Sequence, residues 1–256
     1  MKQPISKAIC GLFLLGVLLS SCEGIMNSAK INQENDKGLQ LYLTGESEES
    51  IVHFKNALSY NPRDKETRAT INRNIALAFN AMLETDSSLA YHKKAAECYN
   101  RGEYGYLLNM ADANLQQDQT EAALTKLLKA NALQPDDLGI HNSLGLIYLG
   151  EYDYDFFDGE KALKHNLKTY ELGKDIISEQ VLAQTYMVLD DFENAKKHLT
   201  TVYIQYPEIA QDILDWVEGK IMLEEKLDLE KSFQLILELD PEKEEAISQV
   251  REDWGV

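Results

Sequence analysis

A chain of 256 residues, 44% hydrophobic and 27% charged, can bury a substantial core as one large domain or two ordinary ones. Its 25 Lys and Arg stand against 43 Asp and Glu, a net charge of −18. That argues against nucleic acid and anionic lipid headgroups as ligands, because affinity for both comes from cations meeting phosphates. Only 14 Gly and 5 Pro are present, too few for long flexible linkers or a many-turned all-β fold.

The chain begins with Lys2 and Lys7, followed by an apolar run from Ala8 to Leu19. Twelve apolar residues suit the core of a secretion signal and are short for a membrane span. The segment closes Leu19-Ser20-Ser21-Cys22, which resembles the bacterial lipobox. The resemblance implies that residues 1–21 are removed and that the thiol of Cys22 is lipidated. Acyl chains such as palmitate, at about 0.8 kcal/mol per buried CH₂, would then hold the protein on a bilayer. Residues 22–30 read as the lipidated tether. Cys10 falls in the leader, so Cys98 is the one thiol in the body, where it reads as a small core residue.

From residue 31 the chain repeats. Pro62, Pro135, Pro207 and Pro241 are spaced 73, 72 and 34 apart, which is two units, two units and one. Six units fit, at about 31–64, 69–103, 104–137, 138–175, 176–209 and 210–243. Each holds two amphipathic helices, A and B, with small residues where they cross: Gly38 and Ala57 in the first, Ala76 and Ala95 in the second, Ala111 and Ala123 in the third, Gly145 and Ala162 in the fourth, Ala183 and Ala195 in the fifth. The second B helix departs, with His92 in place of a large apolar residue. The fourth unit has about four inserted residues, and the sixth has lost most of its small ones. Asp240-Pro241-Glu242 reads as a helix start, with Asp240 as N-cap. Residues 244–256 carry Ala246, Ile247, Val250 and Trp254 on one face and read as a capping helix.

This 34-residue pattern resembles the tetratricopeptide repeat (TPR) family. The resemblance implies an all-α, right-handed α-solenoid of about six helix pairs over 31–243, closed by the C-terminal helix. It also implies a concave groove lined by the A helices, which in this family accepts peptides or partner helices. Carried onto this chain, the groove positions include Asn35, Arg73, Asn74, Asn80, Asn109, Asp112, Asn142, Gln184, Asp215 and Glu218. Asparagine recurs there, and its side chain both donates and accepts, so it can pair with a peptide backbone of any sequence. Arg73 is the only cation among them, which departs from the Lys/Arg clamp that some members use for a C-terminal carboxylate.

The five histidines are scattered, with no pair at metal-ligand spacing along the chain, and read as surface or interhelical residues. No phosphate loop, dinucleotide fingerprint or nucleophile elbow occurs, and no residues call for a cofactor or a metal. The segment from Glu151 to Glu160 is both acidic and aromatic, but it lacks the spacing of a calcium loop. It reads as a long turn anchored by its aromatics or as a contact loop.

The sequence reading is therefore a non-enzymatic scaffold in the bacterial cell envelope. Its lipid anchor would sit in the outer membrane, on the periplasmic face of the inner membrane or at the cell surface. The partner would be a protein or peptide of basic character, because residues 207–256 carry 15 Asp and Glu against 5 Lys and Arg. The alternative is an envelope enzyme or metal-binding protein that uses the 151–160 loop. The sequence is silent on oligomeric state.

Overall fold

Aspartate marks the helix starts. Asp64, Asp137, Asp158, Asp175, Asp191 and Asp228 each accept a backbone N–H three residues on, which serves one of the donors every helix leaves open at its N-terminus. At Asp175 the cap is reciprocal, with the Ser178 hydroxyl accepting from the Asp175 N–H at 3.1 Å. Bonds from the Thr67 side chain and backbone hold Asp64 down to about 2.

The computed structural model describes residues 26–256. The expected leader 1–21, Cys22 and residues 23–25 lie outside the described residues. Thirteen α-helices follow: α1 over 26–43, α2 Ser47–Ser59, α3 Lys65–Ala81, α4 Thr85–Ala96, α5 Tyr104–Leu115, α6 Thr120–Leu133, α7 Leu138–Tyr148, α8 Gly159–Gly173, α9 Ile176–Val188, α10 Phe192–Gln205, α11 Ile209–Met222, α12 Leu229–Leu239 and α13 Glu244–Trp254. The described residues contain no strand, and none of their helices is long and apolar enough to cross a membrane. In sequence order these are six A–B pairs and a terminal helix, the all-α helix-pair architecture that the repeat pattern predicts.

The start of the repeat region differs from the sequence reading, and the helix start expected at Asp240 is a separate turn. The tether was expected to run to residue 30, but 26–30 already belong to α1, which buries Ile31. Ala29 and Lys30 are good helix formers with no breaker after Gly24, and Lys30 sits 5.4 Å over the Tyr60 ring. Asp240 caps a one-turn 3₁₀ segment, Pro241–Lys243, through the Glu242 N–H, and α13 starts only after it.

The A-to-B turns share a device. Gly45, Leu83, Asp118, Gly150, Asp190 and Glu224 all have positive φ, one per turn. The residue that follows donates its N–H to the carbonyl five residues back, as Glu46 does to Leu41, Glu84 to Phe79, Glu151 to Leu146, Asp191 to Tyr186 and Glu225 to Lys220. This left-handed ending satisfies carbonyls left open at the C-terminus of the A helix. Leu83 adopts it without glycine's freedom and with 88% of its surface exposed.

The chain divides into two compact units, one ending at Gln117 and the other running from Asp118 to Val256. The division falls inside the third expected pair, in the turn between α5 and α6. In the first unit Phe54 of α2 lies against Gly38 of α1, so close that a Cβ at 38 would meet the ring at 2.6 Å. Around it Ile31, Ile51, Ala57, Ile71, Ile75 and Ala78 complete the core. In the second unit the main core joins α9 to α13, with Leu199, Ile213, Val217, Phe233, Ile236 and Ile247 at its centre. The small residues do what the pattern requires. A Cβ at Gly145 would lie 1.7 Å from Asn166 Oδ1 on α8, and Ala183 and Ala195 are fully buried.

Candidate partner-binding face

In the first unit, residues expected from sequence to line the groove bond one A helix to the next. Asn74 on α3 donates to Asn35 on α1 at 3.1 Å. Arg73 on α3 donates through Nε to Asp112 on α5 at 3.2 Å. Lys65 and Glu103 add a third contact between α3 and the start of α5, at 2.9 Å. The A faces of α1, α3 and α5 thus form one polar row. Beside it, a cleft of about 250 Å³ opens between α1 and α3, with Ile31 and Ile71 as apolar floor and Asn32, Asn35, Glu66, Thr67 and Thr70 as polar walls. Asn80, nearer the end of α3, is exposed.

Asn109 is placed differently. It is 3% exposed and spends its amide N–H on the Gly105 carbonyl of its own helix at 2.8 Å. It lies below the row, near the buried His92, whose ring is 3.8 Å from Asp112. Burial pushes His92 below its ordinary range, partly offset by Asp112, so it is neutral at pH 7.

In the second unit the equivalent residues differ from one another. Gln184 on α9 is buried and Asn142 on α7 is half-buried. Asp215 on α11 is exposed and accepts from Gln211 at 2.6 Å. Glu218 accepts the indole N–H of Trp254 from α13 at 2.9 Å. Next to it Lys220, 5% exposed, pairs with Glu225 at 2.6 Å and Glu151 at 3.0 Å, and Glu151 also accepts from the Trp216 indole.

That contact decides how the acidic loop is used. Glu151 is held by Lys220 and Trp216. Asp153 caps a 3₁₀ turn, Tyr154–Phe156, and Asp158 caps α8 while pairing with Lys161 at 2.7 Å. Among the described residues no group of three His, Cys, Asp or Glu side chains converges as a metal site.

The histidines are not scattered in space, and this the sequence reading missed. His53 on α2 meets Glu34 on α1 at 2.7 Å, and His198 on α10 meets Glu179 on α9 at 2.5 Å. His141 on α7 meets His165 on α8, Nδ1 to Nδ1, at 2.9 Å. The first two pairs are 19 residues apart and the third 24, which is the same repeat position displaced by the insertion. That spacing was the available signal. His141 Nε2 faces the Pro135 carbonyl at 2.8 Å, and a carbonyl only accepts, so Nε2 carries the proton. In the neutral pair His141 Nδ1 is then the acceptor and His165 Nδ1–H the donor. Burial first, and then the neighbouring His141 and Lys164, push His165 down to about 4.

Helix hairpins in series, with polar A-face side chains bonded from one hairpin to the next, define a helical-repeat protein. No protein-family model matches the sequence, and no curated protein matches it. Solved structures do. The thermophilic TPR protein TTC0263 of Thermus thermophilus is 20% identical with a TM-score of 0.54, over 70% of this chain and 92% of that one. Pseudomonas aeruginosa PilF is 18% identical with a TM-score of 0.53, over 84% of this chain and 94% of that one. A chain of the Cut9–Hcn1 hetero-tetramer of the APC/C is 16% identical with a TM-score of 0.60, over 86% of this chain and 42% of that one. At such identities the likeness concerns the fold, and the fold is that of the tetratricopeptide-repeat proteins.

Proposed function

We propose that this protein is a non-enzymatic adaptor that binds an extended segment of a protein partner on the A faces of its first unit, while a lipid on Cys22 holds it at a membrane of the bacterial envelope. The observation that carries the binding reading is the half-exposed polar row Asn35–Asn74 and Arg73–Asp112 beside the open α1/α3 cleft. Amides and threonine hydroxyls both donate and accept, so such walls can pair with peptide backbone, while Ile31 and Ile71 receive a small apolar side chain. A fold names no function by itself, and this reading rests on the face. The anchor rests on the Leu19–Cys22 motif alone.

The two parts are tested separately. Cys22→Ala should yield a folded protein that leaves the membrane fraction; retention after a high-salt wash would remove the anchor and leave the face untouched. Thr70→Arg, which fills the α1/α3 cleft from an A helix, should abolish recovery of the native partner from crosslinked membranes while the thermal midpoint stays within a few degrees. Undiminished recovery would refute the face.

A further inference from the structure

The turn between α7 and α8 is the longest of the A-to-B turns, spanning 149–158, and it is braced where the others are merely short. Glu151 is fixed by Lys220 and Trp216 of α11, and the Tyr154 hydroxyl accepts the Lys226 N–H at 3.3 Å from the turn after α11. The Tyr154 ring stacks on Phe157 with centroids 5.1 Å apart and planes within 17°. Ten residues tied down at these points still leave Tyr152 43% and Tyr154 38% exposed. At the end of α11 and the start of the adjoining turn, Met222 and Leu223 are 58% and 61% exposed.

Asp155 follows Tyr154 directly in the turn, and Glu160 lies in the first turn of α8. Asp155 and Glu160 have no ion-pair partner among the described residues, and Asp190 reaches Lys226 only at 3.8 Å. Carboxylates alone would suffice for solubility, and a rigid turn that keeps aromatic rings in water adds nothing to it. Aromatic faces next to uncompensated carboxylates are complementary to one chemistry, a cationic side chain. The ring quadrupole and the charge attract it together, and guanidinium suits the ring face better than ammonium does.

We propose that this turn edge of the second unit is a docking surface for a basic, arginine-bearing segment of a protein partner, with Tyr152 and Tyr154 as its aromatic contacts and Asp155 and Glu160 as its counter-charges. The surface lies on the A-to-B turns and not on the A faces of the first unit, so it stands or falls apart from the reading above.

The probe is a synthetic peptide of alternating arginine and glycine, titrated into the full chain at physiological ionic strength. Tyr152→Ser with Tyr154→Ser should weaken binding about 5- to 30-fold, as loss of two exposed cation–π contacts implies. Asp155→Asn with Glu160→Gln should weaken it and flatten its salt dependence. Asp36→Asn with Glu48→Gln, an equal loss of charge on exposed positions of the first unit, should change it less than 2-fold by the same exposed-site scale. In the unsubstituted chain the ring protons of Tyr152 and Tyr154 should shift on titration, a readout that needs no variant to fold. Unmoved tyrosine resonances, or equal losses from the control pair and the loop pair, would overturn the proposal and leave only the diffuse attraction of a chain with net charge −18.

Discussion

The two units spend the same repeat positions differently. In the first, Asn35, Asn74 and Arg73 bridge neighbouring A helices while half-exposed, where a partner's backbone can compete for the same donors and acceptors. In the second, Gln184 is buried, Glu218 is taken by Trp254, and Lys220 is sunk between Glu225 and Glu151. Polar groups that bridge in water cost little to release, whereas those sunk in a core hold one arrangement, because an unpaired buried charge is expensive. The first unit therefore carries polar bridges near its surface, and the second carries a buried charged pair that holds one arrangement.

The sharpest way to break this contrast is Lys220→Met. It leaves Glu225, whose side chain is 5% exposed, without its cation, and should cost about 3–5 kcal/mol. Adding Glu225→Leu removes the stranded charge and should recover most of that loss in denaturant unfolding. A single variant that unfolds at the midpoint of the unsubstituted chain would show that Lys220 is no lock. Next is Gly145→Ala. The new methyl collides with Asn166 Oδ1 and displaces the 2.8 Å bond from Asn166 to Thr185, for about 2–3 kcal/mol, readable as a lower thermal midpoint.

The third expectation is in pH. His165 has an ordinary value of 6.5 and is pushed to about 4 in the folded chain. Between those values the unfolded chain takes up a proton that the folded chain resists. Its stabilisation is therefore complete above pH 6.5 and is lost as pH falls toward 4. His92, also depressed by burial, acts in the same direction in the first unit. His165→Asn should flatten the fall of stability between pH 6.5 and 4; an unchanged slope would assign it to other groups. The smallest effect belongs to Leu83, whose exposed side chain contributes little and whose backbone is left-handed. Leu83→Gly should be neutral to stabilising, by up to about 1 kcal/mol.

Much of this fold was legible in the sequence because the packing constraint is local. A small residue must sit where two helices cross, so Gly38, Ala76, Gly145 and Ala183 set the register and the prolines the period. That residues 26–30 are helical was not legible, since none of them is buried and they carry no periodic signal. The site was legible in part. Repeat geometry placed Asn35, Asn74, Arg73 and Asp112 on A helices, and the structure joins them in pairs. It did not reveal that Asn109 bonds its own helix or that Glu151 reaches Lys220, 69 residues on, because rotamer choice and an inserted turn decide those contacts.

The central claim is that partners meet the A faces of the first unit and not its B faces. A photo-crosslinking amino acid placed at Thr70, in the α1/α3 cleft, and in a second protein at Val52, 56% exposed on α2, tests it in native membranes with the fold otherwise unchanged. The account expects a discrete adduct from position 70 and none from 52. An adduct from 52 with nothing from 70 would contradict it.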